Sequence, residues 1–187
     1  MSYEIWLMRH GETEWSRSGQ HTSHTDLPLT TEGERRALNL AKMTQGRKFA
    51  LTLSSPMRRA LETSRFAGYE PEKTSDLMEW DYGIYEGLTT PEIQRQVPEW
   101  TIWNGTPPGG ETAAQVGARA DRVIARALEA RGDVALFGHG HMLRVLAARW
   151  LDLAPQSGRL LALSTGSVSV LAWERETRVI RLWNQTA

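Results

Sequence analysis

The chain has 187 residues, with 22 Lys plus Arg balanced by 22 Asp plus Glu and no cysteine. That length, and an apolar and charged content near the globular average, fit one domain with a substantial core and exclude disordered and fibrous classes. Balanced charge argues against a nucleic-acid or membrane-surface protein, and the absence of cysteine excludes disulfides, thiolate nucleophiles and cysteine metal sites.

Met1-Ser2-Tyr3-Glu4 shows no basic stretch followed by a long apolar one, so no signal peptide is expected. No run approaches the ~20 apolar residues that span a bilayer, and a cytoplasmic protein is the expectation. Residues 3–8, YEIWLM, predict a central strand. Thr31 and Glu34 then form a Thr-x-x-Glu capping pattern, and with Gly46 as the stop they predict a helix of about 14 residues. Residues 50–55, ALTLSS, predict a second buried strand, followed by Ser55 as N-cap and Pro56 as first position of a helix to about Ala67. The stretch from Tyr69 to Gly110 is mixed, with one short helix over 90–97. Val116, Ala120, Val123, Ile124, Ala127 and Leu128 lie at helical spacing within 110–131. Residues 133–140 predict a third buried strand and 141–151 a helix, while 159–163, 167–173 and 178–183 read as strands. Alternating strands and helices, with no repeat and no linker, predict one α/β domain over 1–187 around a largely parallel sheet. Eight tryptophans point to an aromatic-rich core or cleft wall.

Three apolar strands end alike: in Arg9-His10-Gly11, in Ser55-Pro56 with Arg58 and Arg59, and in Gly138-His139-Gly140. Ligands of α/β sheets bind outside the carboxyl ends of the strands, so two histidines and at least two arginines converge on one edge. Taken singly, each piece has an ordinary reading, as a structural histidine, a solvated arginine or a plain loop. A metal site from His10, His139 and His141 lacks a carboxylate at ligand spacing, and arginines repel a cation. Guanidinium forks and neutral imidazoles together suit a phosphate.

The segments RHGETEW, TDLPLT with GE, SSPMRRALET, LMEWDYGIYEG and FGHGHMLRVLAARW, in that order, resemble the histidine phosphatase superfamily with its phosphoglycerate-mutase-like fold. The likeness covers nearly the whole chain. SGQHTSHTDLPLT, EWDYGIYEGLTTPEI and HGHMLR are most similar to the small acid phosphatases and sugar-bisphosphatases of that superfamily. The resemblance implies a three-layer α/β/α sandwich with a largely parallel central sheet. It also implies a phosphohistidine mechanism in which His10 attacks phosphorus and Arg9, Arg59 and His139 surround the transferring group, without metal or cofactor. Helical periodicity does not choose between Arg58 and Arg59. The family pattern, Arg before Ala with Thr three residues later, selects Arg59.

Glu79, in Leu77-x-Glu79-x-x-x-Gly83, takes the place of the family's acid and base. Asp81 and Glu86 compete with it, although Glu86 also reads as a residue that fixes a turn. Ser16 stands where many relatives have Asn, and its single hydroxyl on a shorter arm leaves its phosphate contact open. Thr22 and Ser23 align with substrate-contacting positions, and Gly140 completes the substrate-binding set. His21 and His24 read as solvated loop histidines or as readers of a second anionic group. Glu111 reads as a first-turn carboxylate of the long helix.

A metal-independent phosphomonoesterase acting on a small phosphorylated substrate is therefore the leading expectation, with no nucleic-acid or membrane partner. Oligomeric state is left open, a homodimer being one option. A mutase would use the same five residues, and a non-catalytic phospho-ligand module would have lost one of them. The chain is short and the 69–110 segment that could cap the site is modest, and an open, water-accessible cleft favours hydrolysis.

Overall fold

The structure, a computed structural model, describes residues 3–187. The chain runs β1 (Ile5–Arg9), α1 (Glu14–Ser18), α2 (Thr31–Thr44), β2 (Leu51–Ser54), α3 (Arg58–Phe66) and β3 (Glu72–Lys73). It continues with α4 (Thr90–Gln94), α5 (Ala113–Glu129), β4 (Val134–Gly138), α6 (Gly140–Trp150), β5 (Val168–Glu174) and β6 (Thr177–Gln185). Six strands form one sheet in the order β3-β2-β4-β1-β5-β6. The first four are parallel, and β5 and β6 add antiparallel at one side.

Every residue of β4 is buried, as a strand covered on both faces requires. Alternation along β1 then divides the core: Leu7 packs with Leu53, Leu136, Val123, Leu143 and Trp150 under α5 and α6. Met8 points the other way, to Leu40 of α2, Ala67 at the end of α3, Ala135 and Phe137. The result is the expected α/β/α layering. Register places Arg9 opposite Gly138 and Ser54 opposite Phe137, so β1, β2 and β4 end together at one sheet edge. Among the described residues no helix is long and apolar enough to cross a membrane.

Several local expectations are corrected. Helix α1 escapes a periodicity reading because it is five residues long; a reciprocal Thr13–Ser16 capping box starts it and Gly19 (φ 82°) ends it. The N-cap of α2 is Thr30, not Thr31, since the Thr30 hydroxyl accepts from the Gly33 amide. Helix α3 starts at Arg58 behind Met57, not at Pro56, although the Ser55 hydroxyl still accepts from the Met57 amide at 3.3 Å while meeting His139. Residues 159–163 are not a strand: Pro155–Leu160 forms a 3-10 turn. The carbonyls that follow take side-chain donors in place of ladder partners, Ala162 from Trp183 Nε1 and Leu163 from Arg9.

Candidate active site

At the end of β1 the backbone is locked before any side chain is considered. A Cβ on Gly11 would lie 2.2 Å from the Gly33 carbonyl oxygen, and one on Gly33 would lie 2.1 Å from that of Glu12. Two glycines thus let the start of α2 close on the turn after β1. The Gly11 amide donates to Thr63 Oγ1 at 3.0 Å, and Thr63 Oγ1 donates to the Arg59 carbonyl at 2.7 Å, tying the same turn to α3.

His10 is held in one orientation by its 2.7 Å contact from Nδ1 to the Gly11 carbonyl. A carbonyl only accepts, so Nδ1 carries the proton and the Nε2 lone pair is left for a ligand. Burial, then the charges of Arg59 and Arg9, push its pKa well below the usual histidine value. The ring is neutral at pH 7, as a nucleophile must be.

Arg9 donates through Nη1 to the Leu163 carbonyl, while its buried Nε has no hydrogen-bond partner among the described residues. A Cβ at position 140 would lie 3.2 Å from the Arg9 guanidinium carbon, so Gly140 is what lets that guanidinium rest against the start of α6. An unpartnered buried N–H on a cation is a donor chemically suited to an anion.

Arg59 and His139 are fully buried side by side. Arg59 Nε donates to His139 Nδ1 at 3.2 Å, which places the ring proton on Nε2, 2.8 Å from Ser55 Oγ. The remaining Arg59 donors reach the carbonyls of Thr25 (3.0 Å), Ser23 (3.0 Å) and Thr22 (3.3 Å). His139 meets His10 edge-on, with 5.1 Å between ring centres. Burial, followed by the neighbouring Arg59, holds His139 neutral as well.

Glu79 reaches the site from the 3-10 turn Ser75–Leu77. Its Oε1 accepts from the amides of Met142 (2.8 Å) and Trp80 (2.9 Å), and Oε2 from that of His141 (3.0 Å). A carboxylate offers about four acceptor positions; the one left over belongs to Oε2. Arg119, paired with Glu111 at 2.7 Å, fixes this turn by donating to the carbonyls of Asp76 and Met78.

These groups surround a cavity of about 190 Å³. Arg9, His10, Glu79 and Gly140 form its inner wall, Ser16, Gln20, His21 and Thr22 its rim, and Tyr82, His141 and Arg144 its far wall. Residues 5–186 match the family model of the histidine phosphatase superfamily, branch 1. The chain belongs to the histidine phosphatase superfamily. An acid phosphatase of Mycobacterium tuberculosis is 38% identical, covering 99% of this chain and 94% of that protein. The sedoheptulose 1,7-bisphosphatase of Saccharomyces cerevisiae is 36% identical, over 80% of this chain and 68% of that one. The solved structure of open reading frame Rv3214 from Mycobacterium tuberculosis superposes with a TM-score of 0.95 at 37% identity, covering 100% and 99% of the two chains.

In this histidine phosphatase the expected residues come together in two tiers. Arg9, His10, Glu79 and Gly140 line the cavity, with Arg59 and His139 packed directly behind. Arg58 stands in solvent, paired with Glu62, about 100° round the helix from the buried Arg59. Ser16 and Thr22 reach the rim, but each hydroxyl is already engaged. Ser16 donates to the Thr13 carbonyl at 3.0 Å and accepts from the Thr13 amide, and Thr22 donates to the Gln20 carbonyl. Ser23 is not in the wall. It is fully buried below it, its hydroxyl 3.3 Å from the Glu79 carbonyl and its own carbonyl held by Arg59.

Glu86 fixes the 23–25 loop by accepting from the amides of Ser23 and Thr25, both at 2.9 Å. His24 faces Asp81 outside the cavity, whereas His21 lies at its rim, stacked on Tyr82. Glu111 precedes α5, whose N-cap is Thr112, and serves as the partner of Arg119 and acceptor of the Asp81 amide. Tyr82 and Arg144 are cavity residues that the sequence reading does not single out, and His141 enters that reading only as a metal ligand set aside. Arg144 was nonetheless accessible, since it lies four residues from Gly140 on one helix face.

Proposed function

We propose that this histidine phosphatase hydrolyses phosphomonoesters of small metabolites through a phosphohistidine on His10, without a metal ion. The observation that carries the reading is the pinned, neutral His10 in one cavity wall with an arginine whose buried Nε has no partner among the described residues. Nε2 attacks phosphorus, an N–P bond forms, and the ester P–O bond breaks with its electron pair leaving on oxygen. Glu79, in its acid form, protonates that oxygen through Oε2; ionised again, it takes a proton from the water that attacks the phosphohistidine. The N–P bond then breaks back onto Nε2, and the products are an alcohol and inorganic phosphate.

Arg9 binds the equatorial phosphoryl oxygens, and the charge of Arg59, buried directly behind His10, stabilises them at short range. His139 holds Arg59 in place and braces the nucleophile edge-on. Two guanidinium groups thereby supply the positive charge that a metal would otherwise bring. Among the described residues no three metal-ligating side chains cluster.

The cavity volume suits a small metabolite. From the whole 69–110 segment only Glu79 and Tyr82 line it, so that segment is a wall and not a lid. Water has access to the phosphoenzyme, which favours hydrolysis over re-donation to a second substrate. The names of the two curated relatives, an acid phosphatase and a sugar bisphosphatase, agree with this.

Rapid acid-free quenching with a 32P-labelled phosphomonoester tests the mechanism. The expected result is a protein-bound phosphate, stable in alkali and labile in acid, that is absent from His10→Ala although that variant still folds. Turnover by His10→Ala, or a label with the opposite stability, overturns it.

A further inference from the structure

Four of the five groups in the proposed mechanism adjoin a strand or an α-helix. Arg9 closes β1, His10 and His139 directly follow β1 and β4, and Arg59 lies within α3. Glu79 has no such support, since residues 78–82 are irregular backbone between the 3-10 turns Ser75–Leu77 and Gly83–Tyr85. An acid that must deliver a proton to one oxygen tolerates little displacement, because a misplacement of about 1 Å can cost about 10² in rate. The rigidity of this stretch has to come from contacts outside it.

Arg119 and Glu111 supply those contacts from its two sides. Arg119, on α5 and 13% exposed, donates through Nη1 to the carbonyls of Asp76 and Met78, both at 2.9 Å, and its Nη2 reaches the Glu79 carbonyl at 3.4 Å. The same Nη1 lies 3.5 Å from Sδ of Met142, whose amide holds Glu79 Oε1. Glu111 takes the other side. Its Oε2 accepts from the Asp81 amide at 3.0 Å, its carbonyl accepts from Trp80 Nε1 at 2.8 Å, and its amide donates to the Asp81 carbonyl at 3.0 Å. Arg119 Nε and Nη2 donate to the two Glu111 carboxylate oxygens at 2.8 and 2.7 Å, which joins the halves into one brace. Each residue from Met78 to Asp81 is thereby bonded to Arg119 or to Glu111.

A pair that only fastened α5 to its neighbours would be complete in its own salt bridge. A part-buried ion pair also adds little net stability, because desolvation offsets much of its attraction. What distinguishes this one is where its remaining donors and acceptors go: to the backbone on both sides of Glu79. On the phosphohistidine reading, in which Glu79 is the acid, we propose that Arg119 and Glu111 are positioning residues that hold Glu79 where it protonates the leaving oxygen. Losing either should slow the departure of a basic leaving group and largely spare one that leaves as a stable anion.

The test compares kcat/KM for p-nitrophenyl phosphate, whose oxide needs little protonation, with that for phenyl phosphate, whose more basic oxide needs more. In Glu79→Gln the ratio of the first to the second should rise by about tenfold or more, since a placed acid supplies ~10²–10⁴ at most. Arg119→Met should raise the ratio in the same direction, and Arg119→Lys, which keeps the charge but not the fork, should raise it less. Added to Glu79→Gln, Arg119→Met should raise it no further, because a residue that acts through Glu79 then has nothing left to act on. Glu111→Gln keeps the side-chain shape and leaves the Arg119 donors to the turn, and it should give a smaller rise; it decides the matter if Arg119→Met does not fold. Equal loss with both esters in a folded Arg119→Met or in Glu111→Gln is what a merely structural pair would give, and it overturns the proposal. So does a rise that adds in full to that of Glu79→Gln. A ratio in Glu79→Gln equal to that of the unaltered protein removes the acid assignment itself, and the positioning role with it.

Discussion

Replacing Arg59 with Met separates the two adjacent arginines most sharply. The substitution keeps much of the side-chain volume but removes the donors to the carbonyls of Thr22, Ser23 and Thr25. At about 1–2 kcal/mol for each buried carbonyl left unsatisfied, the stability loss is about 3–6 kcal/mol, a large share of the roughly 5–15 kcal/mol typical of a domain. For a chain of this length that corresponds to a fall in melting temperature of roughly 6–24 °C. The loss of a buried charge behind His10 should also lower kcat by about 10²–10³-fold, on the scale of a single oxyanion donor.

Arg58→Met should do neither, since its side chain is 57% exposed and its pairing with Glu62 stands in water. Thermal melts by circular dichroism, together with p-nitrophenyl phosphate turnover measured well below either transition, read both effects. A melting shift for Arg59→Met under about 3 °C with activity retained refutes the reasoning. So does damage from Arg58→Met that exceeds it.

Glu79→Gln should cripple hydrolysis of an alkyl phosphate while the first burst of nitrophenol from p-nitrophenyl phosphate survives, because an aryl oxide leaves without a proton. The amide also faces the His141 N–H with a donor, but a merely structural disturbance would slow both substrates equally, which is the contrary result. Activity should be unchanged after EDTA treatment; a loss restored by a divalent ion would end the metal-free reading. Burial holds His10, His139 and His141 well below the usual histidine pKa and His21 at about 4. Below about pH 6.5 the unfolded chain therefore binds more protons than the folded one. Stability is fully present above that pH and falls as the pH drops below it, for His21 over the window from 6.5 to about 4 and by at most about 1.4 kcal/mol per pH unit. Urea midpoints measured from pH 7 to pH 4.5 should show this slope, and a flat profile would contradict it.

The motifs were legible because each answers a backbone demand that the sequence states locally. Gly11 and Gly33 interlock, Gly140 makes room for Arg9, and β4 is an unbroken apolar run between two layers. Arg59 was legible only through the family pattern, since adjacent helical positions look alike until α3 is docked. What stayed hidden depends on long-range partners. The strand expected at 159–163 fails because Arg9 and Trp183, from distant parts of the chain, take its carbonyls. Ser23 reads as a ligand from its position, yet Glu86 and Arg59 draw the loop inward and bury it. Nothing local to HTSHT announces that.

Charge in this site is arranged by separation more than by pairing. Carboxylates near it are occupied elsewhere: Glu79 by three backbone amides, Glu86 by the 23–25 loop, Glu111 by Arg119. Had any of them paired with Arg9, the phosphate would face a neutral ion pair and would have to break it. Because the amides at the start of α6 take up Glu79, a carboxyl group can stand beside Arg9 without a salt bridge to it. Burial first, and then the same uncompensated positive charge, keeps His10 unprotonated, so the charge that suits an anionic ligand also helps to keep the proposed nucleophile available. Burial of cations without counter-ions is the strain that this arrangement carries, and the fully buried sheet and its two packed layers are what hold it in place.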